Sequence, residues 1–198
     1  MRSLAITSAL PNEGKTTASI CLVRSAALAG TRVVLVDCDI RRRASSRSMA
    51  NGVAASLSEV LKGTATLDQA LVQDTASGAF VLAQSAQGTG DYDLITSSAM
   101  QALIAQLEEQ FDFVVLDTAP VLPLAEARAI AGMAGGALLV TRWRRTPAHA
   151  ANLALDLLGR AGATVVGAAM TMVDLKAQAR SGRNDEMAYY AQFKAYYT

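Results

Sequence analysis

LAITSALPNEGKTT, Leu4–Thr17, decides how this chain begins to fold. LAIT (Leu4–Thr7) is a short apolar, β-prone run, and after Lys15 a helical pattern runs to Leu28, closing before Gly30. A strand that turns through Gly-Lys-Thr into a helix is the setting of a phosphate-cradling loop. Backbone N–H groups and the helix N-terminus there turn partial positive charge toward phosphate oxygens. In that reading Lys15 reaches the β- and γ-phosphates, the Thr16 hydroxyl ligates Mg²⁺ and Gly14 lets the backbone approach closely. Ala9 stands where such loops usually open with glycine, and Pro11 and Glu13 lie inside. The bland alternative is an ordinary strand–turn–helix corner with a surface lysine.

Further apolar runs are Val33–Val36, Val114–Leu116, Ala137–Thr141, Thr164–Met170 and the shorter Phe80–Ala83. They are nearly continuous rather than alternating, which predicts strands covered on both faces of a parallel sheet. Between them lie helix patterns at Leu57–Leu61, Leu67–Val72, Ser98–Gln110, Leu124–Ala131 and Ala148–Leu158. The alternation predicts an α/β fold, a doubly wound, mainly parallel sheet with helices on both faces. Residues 84–93 read as a loop and the segment from 176 as a polar tail, so the expected division is a domain over 1–175 and a mobile tyrosine-rich tail over 176–198.

The chain has 198 residues, 52% hydrophobic and 18% charged, enough for one substantial core. Its net charge of +1 gives no global reason to expect nucleic acid or an anionic membrane as a partner. Two cysteines, Cys21 and Cys38, and one histidine, His149, exclude the usual zinc sets. No run approaches the roughly 20 apolar residues that cross a bilayer, and the apolar N-terminus leads straight into the loop, unlike a cleaved leader. The expected place is the cytoplasm.

Ligands of open parallel sheets bind beyond the carboxyl ends of the strands. Two strands end in acid there. VVLVDCDIRRR places Asp37 and Asp39 after Val36, and FVVLDTAP places Asp117 after Leu116. An acid at such a point holds Mg²⁺ directly or through water, or else caps a helix. Two carboxylates beside a triphosphate require a metal. One of the pair then holds the metal's water shell and the other accepts a proton from an attacking hydroxyl.

On these motifs the sequence resembles the bacterial tyrosine kinases of capsule and exopolysaccharide systems, P-loop NTPases related to the MinD and ParA ATPases. SALPNEGKTT stands as Walker A, VLVDCDIRRR as Walker A′ and FDFVVLDTAP as Walker B; YDLITSSAMQALI and VTRWRRTPAHA are similar to further family segments. MinD and ParA loops carry a signature lysine where this chain has Leu10. The resemblance implies an ATP-dependent protein tyrosine autokinase with ATP and Mg²⁺ as cofactors. It implies Lys15 as transition-state cation, Asp37 as proton acceptor, and Thr16, Asp39 and Asp117 at the metal. Asn12, Glu13, Gly14, Lys15, Thr16 and Thr17 form the nucleotide loop, and Arg41 steers phosphate or lies in a solvated basic turn. A MinD/ParA-like ATPase switch or a non-catalytic nucleotide-binding regulator remains the alternative, since the loop's physics alone supports either.

Four of five tyrosines close the chain: Tyr189, Tyr190, Tyr196 and Tyr197. By the resemblance they are phosphoacceptors, modified in trans by neighbouring subunits. The competing reading is a docked helix with a Tyr189, Phe193, Tyr196 stripe. The family also implies a transmembrane activator or polysaccharide co-polymerase segment, fused or separate, and a cognate tyrosine phosphatase. The family's helical segment ahead of Walker A, with its Glu–Arg–Arg assembly motif, is not in this sequence. The expectation is a cytoplasmic piece of a larger system at the inner face of the plasma membrane.

Overall fold

Apolar runs of this length pair their backbone groups by lying side by side, which leaves both faces for side chains. The computed structural model describes residues 1–50, 53–85, 92–174 and 177–178. Its strands are β1 (Ser3–Ser8), β2 (Val33–Asp37), β3 (Leu71–Gln73), β4 (Phe80–Leu82), β5 (Phe113–Asp117), β6 (Gly136–Arg142) and β7 (Val165–Thr171). Among the described residues they form one seven-stranded sheet in the order β3-β4-β2-β5-β1-β6-β7. All pairings are parallel except β3 with β4. The helices are α1 (Lys15–Leu28), α2 (Ala44–Met49), α3 (Leu57–Leu61), α4 (Leu67–Ala70), α5 (Ser98–Gln110), α6 (Ala125–Met133) and α7 (Ala148–Arg160), with a 3-10 turn at Leu94–Thr96.

The continuous apolar spelling of β2 reflects its two buried faces. Val34 and Val36 join a core with Leu107 of α5, Ile130 of α6 and Leu158 of α7. Val33 and Leu35 join the opposite core with Val23 of α1 and Met49 of α2. The chain thus winds helices onto both faces. From β1 it runs outward one way to β2 and, after returning at β5, crosses to β6 on the other side of β1. The carboxyl ends of β1, β2 and β5 flank that reversal, where α/β sheets bind ligands.

Two local expectations need correction, and one helix goes beyond them. The helical pattern at Leu67–Val72 stops at Ala70, and Leu71–Gln73 turns into β3, antiparallel to β4. Helix α2 carries no apolar period, and the residue pattern gives no sign of it. The strand expected at Thr164–Met170 is β7, an edge strand covered on one face only: Val166 and Met170 remain 50% and 60% exposed. Among the described residues no helix is long and apolar enough to cross a membrane. Apart from Ala177 and Gln178, the expected tail 176–198 lies outside the described residues, and with it Tyr189, Tyr190, Tyr196 and Tyr197.

Candidate active site

The loop after β1 is built from small residues and inward bonds. Ala9 is fully buried in the core, so a small side chain suffices where glycine is usual. The positive-φ positions fall later, at Asn12 (64°) and Gly14 (90°). A Cβ on Gly14 would meet the Thr171 side chain at 3.3 Å in a conformation that L residues rarely adopt. Glu13 is buried and turned inward. Its carboxylate accepts from the Leu10 N–H at 2.8 Å and from the Thr146 hydroxyl, while the Thr171 hydroxyl donates to its carbonyl at 2.6 Å. Glu13 therefore staples the loop to the segments that follow β6 and end β7. Exposed Asn12 accepts from Arg42 Nη1 at 2.6 Å.

Lys15 opens α1 and is buried. Its Nζ donates to Asp39 Oδ2 at 2.8 Å and lies 3.9 Å from Asp117 Oδ1 and 3.4 Å from Thr16 Oγ1. Ser19, one turn further along α1, donates to the Lys15 carbonyl at 3.0 Å and lies 3.3 Å from Asp117 Oδ1. Lys15, Thr16, Asp39 and Asp117 thus converge. Beside Lys15 and Thr16 opens a cleft of about 320 Å³, walled by residues 12–17, Arg42, Ala44, Arg142 and Met172, with the aspartates behind its wall. Arg41 does not line it, being paired with Glu126 at 3.2 Å and stacked on Tyr92. The neighbouring Arg42 does.

Asp37 and Asp117 are register partners across β2 and β5, both fully buried, yet their surroundings differ. The strand ends at Asp37, and Asp39 lies in the turn beyond it. Asp37 Oδ1 accepts from the Asp39 N–H at 3.1 Å, and Oδ2 accepts from the Ser46 N–H at 2.9 Å and its hydroxyl at 2.5 Å. Asp117 Oδ1 takes the Ser19 bond, while Oδ2 is buried without a partner. Burial raises the pKa of Asp37, and the Ser46 bonds oppose it. Burial pushes Asp117 up to about 6, against the pull of Lys15 and with a further push from Asp37. Cys38, between the acids in sequence, is buried, and its thiol is raised well above its ordinary value by burial first.

Among the described residues no three carboxylate, imidazole or thiolate groups close a metal cage. The donors nevertheless fit a hydrated divalent cation. They are a threonine hydroxyl at the head of the helix and two aspartates, one with an oxygen left open. Magnesium keeps several of its waters and takes one or two carboxylates together with phosphate oxygens. Residues 12–17, Asp37, Asp39 and Asp117 all lie at this one end of the sheet. Reading the sequence missed Ser19, Ser45, Ser46, Thr146 and Thr171. Serines and threonines look like surface residues in a sequence, and only the VDCD spelling nearby pointed to a polar floor.

Residues 1–141 match the family described as AAA domain. The succinoglycan biosynthesis transport protein ExoP of Rhizobium meliloti (strain 1021) is 34% identical over 79% of this chain, which spans 20% of that protein's length. The tyrosine-protein kinase CpsD of Streptococcus pneumoniae is 28% identical over 88% of this chain and 78% of its own. The kinase domain of Escherichia coli tyrosine kinase ETK superposes with a TM-score of 0.81 at 26% identity, covering 87% of this chain and 69% of that one.

Proposed function

The chain belongs to the AAA domain family that its residues 1–141 match, and from that premise we propose that it is a protein tyrosine kinase transferring the γ-phosphoryl group of ATP to tyrosine. The observation that carries this reading is the convergence of Lys15, Asp39 and Asp117 beneath a phosphate loop, in a chain similar to proteins named as tyrosine kinases. Position 10 favours the kinase over the ATPase switch. Leu10 packs against the core, so Lys15 is the loop's one cation.

Lys15 exchanges Asp39 for the transferring phosphate, and the N–H groups of residues 12–17 hold the remaining oxygens. Thr16, Asp39 and Asp117 would hold Mg²⁺, which would supply neutralisation of the phosphate charge. Asp37 accepts the phenolic proton on Oδ1, the oxygen that carries a single bond. Its burial raises its proton affinity and requires the first turn of α2 to give way to the acceptor. The acceptors are Tyr189, Tyr190, Tyr196 and Tyr197 of a neighbouring subunit. Phosphorylation adds about −1.5 to −2 charges each and so disperses packed subunits. A transmembrane activator or polysaccharide co-polymerase segment holds the domain at the inner face of the membrane, a cognate phosphatase resets it, and polysaccharide export is the process controlled.

Incubation with Mg-ATP labelled at the γ-phosphate tests this, with and without a candidate activator segment. Label on tyrosine is expected, lost in Lys15→Met and in the variant with the four tail tyrosines changed to Phe. Free phosphate without labelled protein identifies the ATPase instead.

A further inference from the structure

Among the described residues four buried side-chain atoms have no hydrogen-bond partner: Ser45 Oγ, Ser56 Oγ, Gln84 Nε2 and Asp117 Oδ2. Gln84 lies toward α3, bonded through its other amide atom to Ser58, and Ser56 is the residue just ahead of that helix. Ser45 and Asp117 belong to the site floor. A buried hydroxyl or carboxylate oxygen left unpaired is costly, so two on one floor call for a partner: Ser45 adjoins Ser46, which bonds Asp37, and Asp37 is the register partner of Asp117.

The backbone brings Ser45 there through a tight turn. The Arg42 N–H bonds to Asp39 Oδ1 and the Arg43 N–H to the Asp39 carbonyl, at 3.0 and 2.7 Å. Arg43 then takes a left-handed φ of 46°, and α2 begins. Its first turn sends two adjacent buried serines to the floor. Ser46 is consumed: it donates to Asp37 and accepts from the Gln84 N–H at 2.8 Å. Ser45 is fully buried too, and its hydroxyl works against the rise that burial imposes on the pKa of both Asp37 and Asp117. It closes a hydrogen bond with neither.

We infer that Ser45 is a positioning residue of the cation site, its hydroxyl accepting, together with Asp117 Oδ2, from a water in the shell of a divalent cation bound with the nucleotide. The inference rests on the nucleotide–cation reading above and adds a residue outside the loop and the three aspartates. One water offers two O–H donors, and the floor offers two open acceptors. The serine's own proton remains free for a carboxylate. Partners that orient a metal's immediate ligands usually matter 10–100-fold for metal affinity.

The test is Mn²⁺ affinity of the ADP-saturated protein, measured by the loss of the free-ion EPR signal, for the wild type, Ser45→Ala and Ser45→Thr. Ser45→Ala is expected to weaken Mn²⁺ about tenfold. ADP affinity in EDTA and the melting temperature of the metal-free protein should stay level or rise, because an unpaired hydroxyl is removed. Ser45→Thr should recover most of the loss. Mn²⁺ affinity within twofold of the wild type in Ser45→Ala overturns the inference, as does a parallel fall in ADP affinity without metal or in melting temperature. A wild type that binds no Mn²⁺ with ADP sinks the nucleotide–cation reading itself, a separate failure.

Discussion

Asp37 and Asp117 occupy the same row of the sheet, at the ends of neighbouring strands, and both are sealed from solvent. One is saturated by α2 and its own turn, and the other keeps an oxygen open. The difference lies in the path of the chain beyond each strand. After β2 it folds back through Asp39 into α2 and covers Asp37. After β5 it runs on through Thr118 and Ala119, and the Thr118 hydroxyl bonds to the Ile6 carbonyl at 3.1 Å, away from Asp117. Equal burial thus leaves two different carboxylates: one saturated by bonds to α2 and its own turn, and one with an oxygen still open.

The largest expected effect separates the two acids. Asp117→Asn should weaken Mg-ADP binding by about 100-fold, equivalent to about 2.7 kcal/mol, while raising the melting temperature of the metal-free protein, since a charge disfavoured by burial is removed. Isothermal titration and thermal unfolding check both halves. Asp37→Asn should do the reverse. An amide cannot accept every bond that Ser46 and Asp39 donate, so stability should fall by about 2 kcal/mol, or roughly 4–8 °C for a domain of this size. Mg-ADP binding should change only a few-fold. If both variants behave alike, the contrast between the acids fails.

A smaller effect appears against pH. The folded-state pKa of Asp117 is raised from 3.8 to about 6, so between those values the native state holds more proton than the unfolded chain. Stability of the nucleotide-free protein should therefore fall as pH rises through about 4 to 6. Asp37, also raised, adds to the same slope. Denaturant titrations at successive pH values should show the slope reduced in Asp117→Asn and not abolished. The smallest effect belongs to a half-exposed arginine on a buried aspartate. Arg24 grips Asp74 through two bonds of 3.0 Å and is itself 38% exposed, while Asp74 keeps the Ser77 hydroxyl, and Arg24→Ala should cost about 1 kcal/mol by chemical denaturation.

Most of the scaffold was legible because its signals are local. Apolar runs under both faces of a sheet and the Lys15–Leu28 and Ser98–Gln110 helices read directly from residue order. The features that escaped depend on distant partners. Leu71–Gln73 becomes a strand because β4 offers an edge, with the Asp74 N–H bonding to the Ala79 carbonyl at 2.7 Å. Helix α2, ASSRSM, has no apolar face to announce it and is fixed by polar bonds to Asp37 and Gln84. The loop lysine and the three aspartates were legible as motifs. The inward turn of Glu13 and the burial of Ser45 and Ser46 were not, because the sequence alone does not distinguish a buried serine from a solvated one.

The most direct test is a crystal structure of the domain grown with ADP and Mg²⁺. We expect the cation beside Thr16, a water of its shell within hydrogen-bond distance of Asp117 Oδ2, and Asp37 still bonded to Ser46 and the Asp39 N–H. A cation bound elsewhere, with Asp117 Oδ2 still unpaired or Asp37 released to bind it, would contradict the division of labour between the two acids.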